Sequence, residues 1–322
     1  MAWWMVLAAH AGPVDADRLD ALLATAAVNE TETLIVWQDG EILASVGAGD
    51  AGDWPVLEVM SVTKSVVSLA VGILVDQGTL ELDAPVSTWL RDWPTGDDVT
   101  LRMLLNHSSG LAPGRTLLVA RSKNVVRRAQ IARLSGTPDE TWRYNNRATN
   151  LIPEIVHQAS GERIQDVVER YVFGPLDVPL YGWTSDAEGH AWGMAGLRLT
   201  APQMLRLGQL MLNEGAWEGQ QLVSADYVAE ATQPSGPNPS CGLLWWPLHE
   251  QTDRAAMWKN ELPELDELGA QRGYSAIGLF GQFIIVVPEE ELIVVRQRTN
   301  GPLTDELSWV SLEQDALALV TP

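Results

Sequence analysis

Residues 61–77 read Ser-Val-Thr-Lys-Ser-Val-Val-Ser-Leu-Ala-Val-Gly-Ile-Leu-Val-Asp-Gln, with Gly78 next. Val66, Val67, Leu69, Ala70, Ile73 and Leu74 recur at helical spacing, which predicts a helix over 62–77 that Gly78 ends. Ser61 sits where a loop becomes this helix. Positions i and i+3 share a helix face, so the Lys64 amine can approach the Ser61 hydroxyl. A serine hydroxyl is a poor nucleophile until a base takes its proton, and lysine can do so once its own pKa falls. The helix N-terminus supplies N–H groups and positive potential, which stabilise an alkoxide and disfavour a protonated lysine. Taken alone, Ser-x-x-Lys also arises by chance, and its plain reading is a helix start with an exposed lysine.

About 80 residues further on comes Tyr144-Asn145-Asn146. A tyrosine beside a lysine can share its proton and act as general acid on a leaving amine or alkoxide. The Asn146 amide could hold Lys64 or a substrate carbonyl. By itself the segment is a loop followed by a helix start, since asparagine is a good N-cap.

Outward from these stretches, Leu19, Leu22 and Leu23 predict a helix over 15–27. Leu34 to Trp37 and Ile42 to Ala44 flank Asp39-Gly40, a two-residue hairpin signal. From 80 to 180 helical segments alternate with Pro85, Pro94, Pro113, Pro138 and Pro153. A helix is expected at 201–214, strands at Cys241 to Trp246, Gln282 to Val287 and Leu292 to Arg296, and a last helix at about 304–320. The last two strands, joined by a turn at Pro288 to Glu291, should pair antiparallel. The order strands, helices, strands predicts an α/β layer made from both chain ends (1–79 and 181–322) with a helical domain, 80–180, inserted between.

Composition narrows the function. The 322 residues are 46% hydrophobic and 20% charged, ordinary for a folded chain with a large core. Lys and Arg total 21 against 42 Asp and Glu, a net charge of -21, which repels phosphate backbones and anionic membranes. Cys241 is the single cysteine, so an intramolecular disulfide and cysteine-rich zinc sites are excluded. The five histidines show no paired metal spacing. No apolar run approaches the ~18 residues needed to span a bilayer. The apolar residues 1–9 lack the basic n-region of a secretory signal, so a cytoplasmic location is expected over a cleaved N-terminal signal.

Together, Ser61-Val62-Thr63-Lys64 and Tyr144-Asn145-Asn146 resemble the Ser-x-x-Lys and Tyr-x-Asn pair of the serine β-lactamase and penicillin-binding-protein superfamily. The likeness is to its class C side, which includes esterases and 6-aminohexanoate-dimer hydrolases. Further segments match in order: Leu104 to Leu111, Ala195 to Leu212, and Ala276 to Gln282 followed by Pro288, the last resembling the third-motif strand in its Gly-x-x-Gly-Gln form. The resemblance covers about 33–300. It implies a β-lactamase-like fold, an antiparallel sheet flanked by helices with an inserted all-helical domain, and a site in the cleft between the two. It also implies acyl transfer to water through acyl-Ser61, with Lys64 and Tyr144 as the proton carriers. The backbone N–H groups of Ser61 and Ile277 would form the oxyanion hole, and Asn146 would contact lysine or substrate. The expected partner is a small-molecule substrate, and no metal or organic cofactor is implied.

One position departs from the family pattern. Where the third motif often opens with a Lys or His, this chain has Tyr274-Ser275-Ala276, with Arg272 upstream reading as a surface residue. If Tyr274 lines the cleft, small uncharged esters or amides should be cleaved in preference to penicillins. Two alternatives remain open at this point: a weak β-lactamase or D-Ala-D-Ala-type peptidase, and an inactive ligand-binding homologue. Gly273-Tyr274-Ser275-Ala276-Ile277 falls one residue short of a Gly-x-Ser-x-Gly elbow and leads into a strand instead of a helix. His107 reads as a buried structural histidine because lysine already fills the role of base, and Trp245-Trp246 as core.

Overall fold

In a computed structural model of the chain, the described residues are 13–47, 53–94, 98–114, 123–180, 182–254, 262–299 and 306–320, with only the backbone described over 306–311. The apolar stretch 1–9 lies outside them. Asp39 and Gly40 take φ of 46° and 86°, the left-handed pair a tight hairpin needs, and join β1 (Thr33–Gln38) to β2 (Glu41–Val46). The other long strands lie in the last quarter of the chain: β3 (Trp246–His249), β4 (Gln271–Gly278), β5 (Gln282–Val287) and β6 (Leu292–Gln297). They form one sheet in the order β2-β1-β6-β5-β4-β3, every neighbour antiparallel. Pairing of β1 with β6, Ile35 opposite Val295, unites the two ends of the chain.

Both faces of the sheet are covered, which is why β5 and β6 are continuous apolar runs instead of alternating ones. Phe283, Ile285, Val287, Leu292 and Val294 enter a cluster with Leu22 and Ala26 of α1 (Ala16–Val28) and Leu312 and Ala316 of the C-terminal helix, Glu306–Ala318. Ile284, Val286, Ile293 and Val295 face the opposite way. They pack with α2 (Val62–Asp76) and α3 (Ala201–Leu212). Every residue of α2 from Val62 to Leu74 is buried, the polar Thr63, Lys64, Ser65 and Ser68 included. It packs on β4 and β5 and also on Ile152–Ser160 and Ile164–Val168, so one apolar cluster runs from the sheet into the 80–180 segment.

Within 80–180 the described helices are short, the longest being Ile152–Ser160 at 9 residues. Pro153 lies in its first turn, where a missing N–H costs nothing, so this proline starts a helix instead of separating two. Two strand boundaries differ from the sequence reading. Cys241 to Leu244 is not strand: Gly242 N–H donates to Trp245 C=O and Leu244 takes φ 61°, so the chain turns before β3 begins at Trp246. Ala276 to Gln282 is not a single strand, because Phe280 and Gly281 have φ of 68° and 86° and turn β4 back into β5.

Candidate active site

The approach to Ser61 is strained. Met60 adopts φ 49°, a left-handed conformation that a side chain disfavours. Thr63 stabilises this turn: its hydroxyl donates to Met60 C=O at 2.6 Å and accepts from Leu197 N–H at 3.2 Å. Ser61 itself precedes the first helical residue of α2, and its side chain makes no capping bond. That leaves Oγ for other partners. Lys64 Nζ lies 3.0 Å from Ser61 Oγ, one turn along the helix, and the Tyr144 hydroxyl donates to the same oxygen at 2.7 Å. Lys64 Nζ also sits 4.9 Å from the centre of the Tyr144 ring.

Lys64 is buried and forms no ion pair among the described residues. Its second partner is the Met194 carbonyl, to which Nζ donates at 2.6 Å. That carbonyl is held by Asn150, fully buried, whose Oδ1 accepts from Met194 N–H at 3.0 Å. Burial without a counter-charge pushes the Lys64 pKa well below its usual value, and burial raises that of Tyr144. Both groups are therefore held towards their neutral forms.

The Tyr144 turn is anchored by its neighbours. Asn145 caps the short helix Asn146–Thr149, accepting from Arg147 and Ala148 N–H, while its amide donates to Leu111 C=O at 2.7 Å. Asn146 is half-buried at the first position of that helix. His107 accepts from Asn145 N–H through Nδ1 at 3.2 Å and from Arg143 N–H through its carbonyl. Its ring packs 4.7 Å from Tyr144 and stacks on Trp246 at 6.2 Å. Burial first, then the Lys64 charge, lower the His107 pKa to about 3, so it is a neutral packing and accepting group.

The edge of the sheet completes the site. Pro247 has no N–H, and its carbonyl accepts from Arg254 Nη2 at 2.9 Å, so Pro247 and its opposite number Tyr274 exchange no ladder bonds. Alternation then turns the N–H and C=O of Tyr274, Ala276 and Gly278 towards β5, and those of Ser275 and Ile277 towards β3. Since β3 starts opposite Ser275, the Ile277 N–H points past its end, onto an open edge. Gly278 brings this edge to the turn before Ser61: a Cβ there would lie 2.5 Å from Val59 C=O, two residues before Ser61.

Tyr274 departs from the sequence expectation. Its side chain is buried in the α2–α3 core, donates to Met211 C=O at 2.9 Å and packs edge-on against Trp245. Strand alternation puts it on the face covered by α3, so it does not stand where a substrate-binding cation would. Arg272 pairs with Glu290 at 2.6 Å. Ser275 of the elbow-like segment is buried and donates to Glu313 on the other face. Met60, Thr63, Asn150 and Met194 carried no sequence signal: a carbonyl can come from any residue, and a left-handed methionine has no pattern.

A serine hydroxyl held between lysine and tyrosine beside an all-antiparallel sheet is an arrangement that suits a serine hydrolase of the β-lactamase-like fold. The Beta-lactamase family model matches residues 24–307, and the chain belongs to that family. It is similar to the 6-aminohexanoate-dimer hydrolase of Paenarthrobacter ureafaciens, at 23% identity over 89% of this chain and 77% of that one. Esterase EstB of Burkholderia gladioli is 31% identical over 47% of this chain and 46% of its own length. Among solved structures, a class C β-lactamase from Rhodobacter sphaeroides superposes with a TM-score of 0.66 at 18% identity, covering 94% of this chain and 99% of that one. No described helix is long and apolar enough to cross a membrane.

Proposed function

We propose that the chain cleaves an amide or ester of a small molecule or short peptide through a covalent acyl-Ser61. The observation that carries this reading is Ser61 Oγ, 3.0 Å from an unpaired lysine amine and 2.7 Å from a tyrosine hydroxyl. The neutral Lys64 amine takes the Ser61 proton as Oγ bonds the carbonyl carbon, and the carbonyl electron pair moves to oxygen. The N–H groups of Ser61 and Ile277 stabilise that oxyanion. On collapse the bond to the leaving amine or alkoxide breaks, and Tyr144 supplies its proton, recovering one from the protonated Lys64 with which it is coupled. Water, deprotonated by the same pair, then attacks the acyl carbon, and Ser61 leaves with its proton restored. Asn146 orients Lys64 or the substrate carbonyl. With 1–79 and 181–322 as one domain and 80–180 as the other, Ser61 and Ile277 come from the first and Tyr144 from the second.

The test is intact and peptide mass spectrometry after exposure to a fluorophosphonate and, separately, to a penicillin. Labelling of Ser61 by the fluorophosphonate alone is expected. Rapid labelling by penicillin would place the chain with β-lactamases or D-Ala-D-Ala-type peptidases, and labelling by neither would make it a binding protein.

A further inference from the structure

Charge is distributed very unevenly along this acidic chain. From Val99 to Pro138 there are seven Lys or Arg and no Asp or Glu, although acidic residues outnumber basic ones 42 to 21 overall. Arg128 of this segment and Arg147, which lies beyond it after Asp139 and Glu140, come together beside the Tyr144–Asn146 turn. Arg128 belongs to the helix Val125–Gln130, which packs against the helix Asn146–Thr149 carrying Arg147. Neither guanidinium has a carboxylate within ion-pair distance among the described residues, and the Nε of each is buried without a hydrogen-bond partner. The two are close enough for the Arg128 charge, after burial, to depress the Arg147 pKa.

The Arg147 group is also fixed in place. Nη1 donates to Ala112 C=O at 3.0 Å, and the guanidinium lies flat against Gly114. A Cβ on Gly114 would stand 2.5 Å from Arg147 Nε, and its φ of 67° is one that glycine tolerates. Ala112 follows Leu111, whose carbonyl holds Asn145, so the arginine and the Tyr144 turn share one support. Like charges that are apposed, partly desolvated and unneutralised destabilise a fold unless an anion joins them. A pair of planar guanidiniums offers matched N–H donors to a carboxylate.

We propose that Arg128 and Arg147 form a carboxylate-binding subsite of the candidate active site, so that the preferred substrate is an ester or amide bearing a carboxylate. The inference rests on the serine-hydrolase reading. It reverses the preference for uncharged substrates, which depended on Tyr274 lining the cleft. The carboxylate could sit on the acyl side or on the leaving group, and two probe pairs separate these. Mono-p-nitrophenyl glutarate is compared with its methyl ester, and 4-butyryloxybenzoate with its methyl ester.

For wild type, kcat/KM for at least one acid should exceed that of its own methyl ester tenfold or more, mainly through KM. The ratio should fall towards one in Arg128→Gln and Arg147→Gln and in high salt. A wild-type ratio near one, or a ratio that neither substitution changes, overturns the subsite. Thermal unfolding with free glutarate reads the subsite without turnover. Glutarate should raise the wild-type midpoint but not that of Arg147→Gln, and without ligand the variant should be at least as stable as wild type. If Ser61-dependent hydrolysis of all four probes fails, the functional reading falls. The glutarate shift then decides the subsite separately, its absence overturning it.

Discussion

Two polar clusters lie on opposite faces of the sheet, and each buries a cation. On the α1 side, Arg254 and Glu313 are both about 1% exposed and bonded twice, Nε to Oε2 at 2.8 Å and Nη2 to Oε1 at 2.9 Å. The Ser240 and Pro247 carbonyls and the Ser275 hydroxyl complete their bonding. On the α2 side, Lys64 is as deeply buried but has a serine, a carbonyl and an aromatic ring around it, and no anion. The first cluster satisfies a charge and keeps it. The second makes a charge costly and so yields a basic amine. Both cations are buried, but Arg254 has an anion beside it and Lys64 has none among the described residues, and a lysine, unlike an arginine, can shed its proton.

That contrast breaks most directly at the two serines. Ser61→Ala should lower turnover of a p-nitrophenyl ester by three or more powers of ten, with a thermal midpoint close to wild type because Ser61 makes no cap bond. Ser275→Ala should do the reverse, keeping turnover and losing stability. Activity surviving in Ser61→Ala and lost in Ser275→Ala would exchange the two clusters' roles.

Glu313→Gln strands a buried guanidinium and should destabilise by about 3–5 kcal/mol in denaturant titration. An unchanged midpoint would mean that the Arg254 cluster is not a satisfied ion pair. Tyr274→Lys buries a new cation in the core with no partner and should cost about 3 kcal/mol, without changing the ratio of nitrocefin to p-nitrophenyl acetate acylation. A raised ratio would return Tyr274 to the cleft.

His107 supplies a pH test of the reactive side. Its folded pKa, about 3, lies below the unfolded value near 6.5, so the unfolded chain binds the extra proton between them. Its contribution is complete above pH 6.5 and is lost as pH falls towards 3, at roughly 1.4 kcal/mol per pH unit. Denaturant titrations from pH 7 to 4 should show that slope reduced in His107→Gln, and equal slopes in both proteins would refute the buried neutral histidine.

Lys64→Met should give a small change in stability with an informative sign. The folded pKa is below the unfolded one, so stability associated with Lys64 is lost as pH falls from about 10.5 through the folded value. At pH 7 the methionine variant should be inactive and more stable by about 1 kcal/mol. A less stable variant would show that Lys64 is retained for packing.

The ordered segments around Ser61, Lys64, Tyr144 and Leu104 to Leu111 made the fold legible through the family resemblance, whereas the helix after Ser61 and the Asp39-Gly40 turn were legible directly, as local properties of the chain. Ser61 and Lys64 were legible as a pair for the same reason: one helical turn brings them together whatever surrounds them. Tyr144 was legible only through the resemblance, since nothing local relates residues so far apart. Tertiary structure decided the rest. It set the face of β4 on which Tyr274 falls, since pairing with Pro247 and Val286 fixes which side chains meet α3. It supplied the Met194 carbonyl that holds Lys64 and the Asn150 side chain that holds Met194, and it withheld an acid from that lysine while giving one to Arg254. Proton affinity depends on what lies within a few ångströms in space, and chain order does not encode that distance.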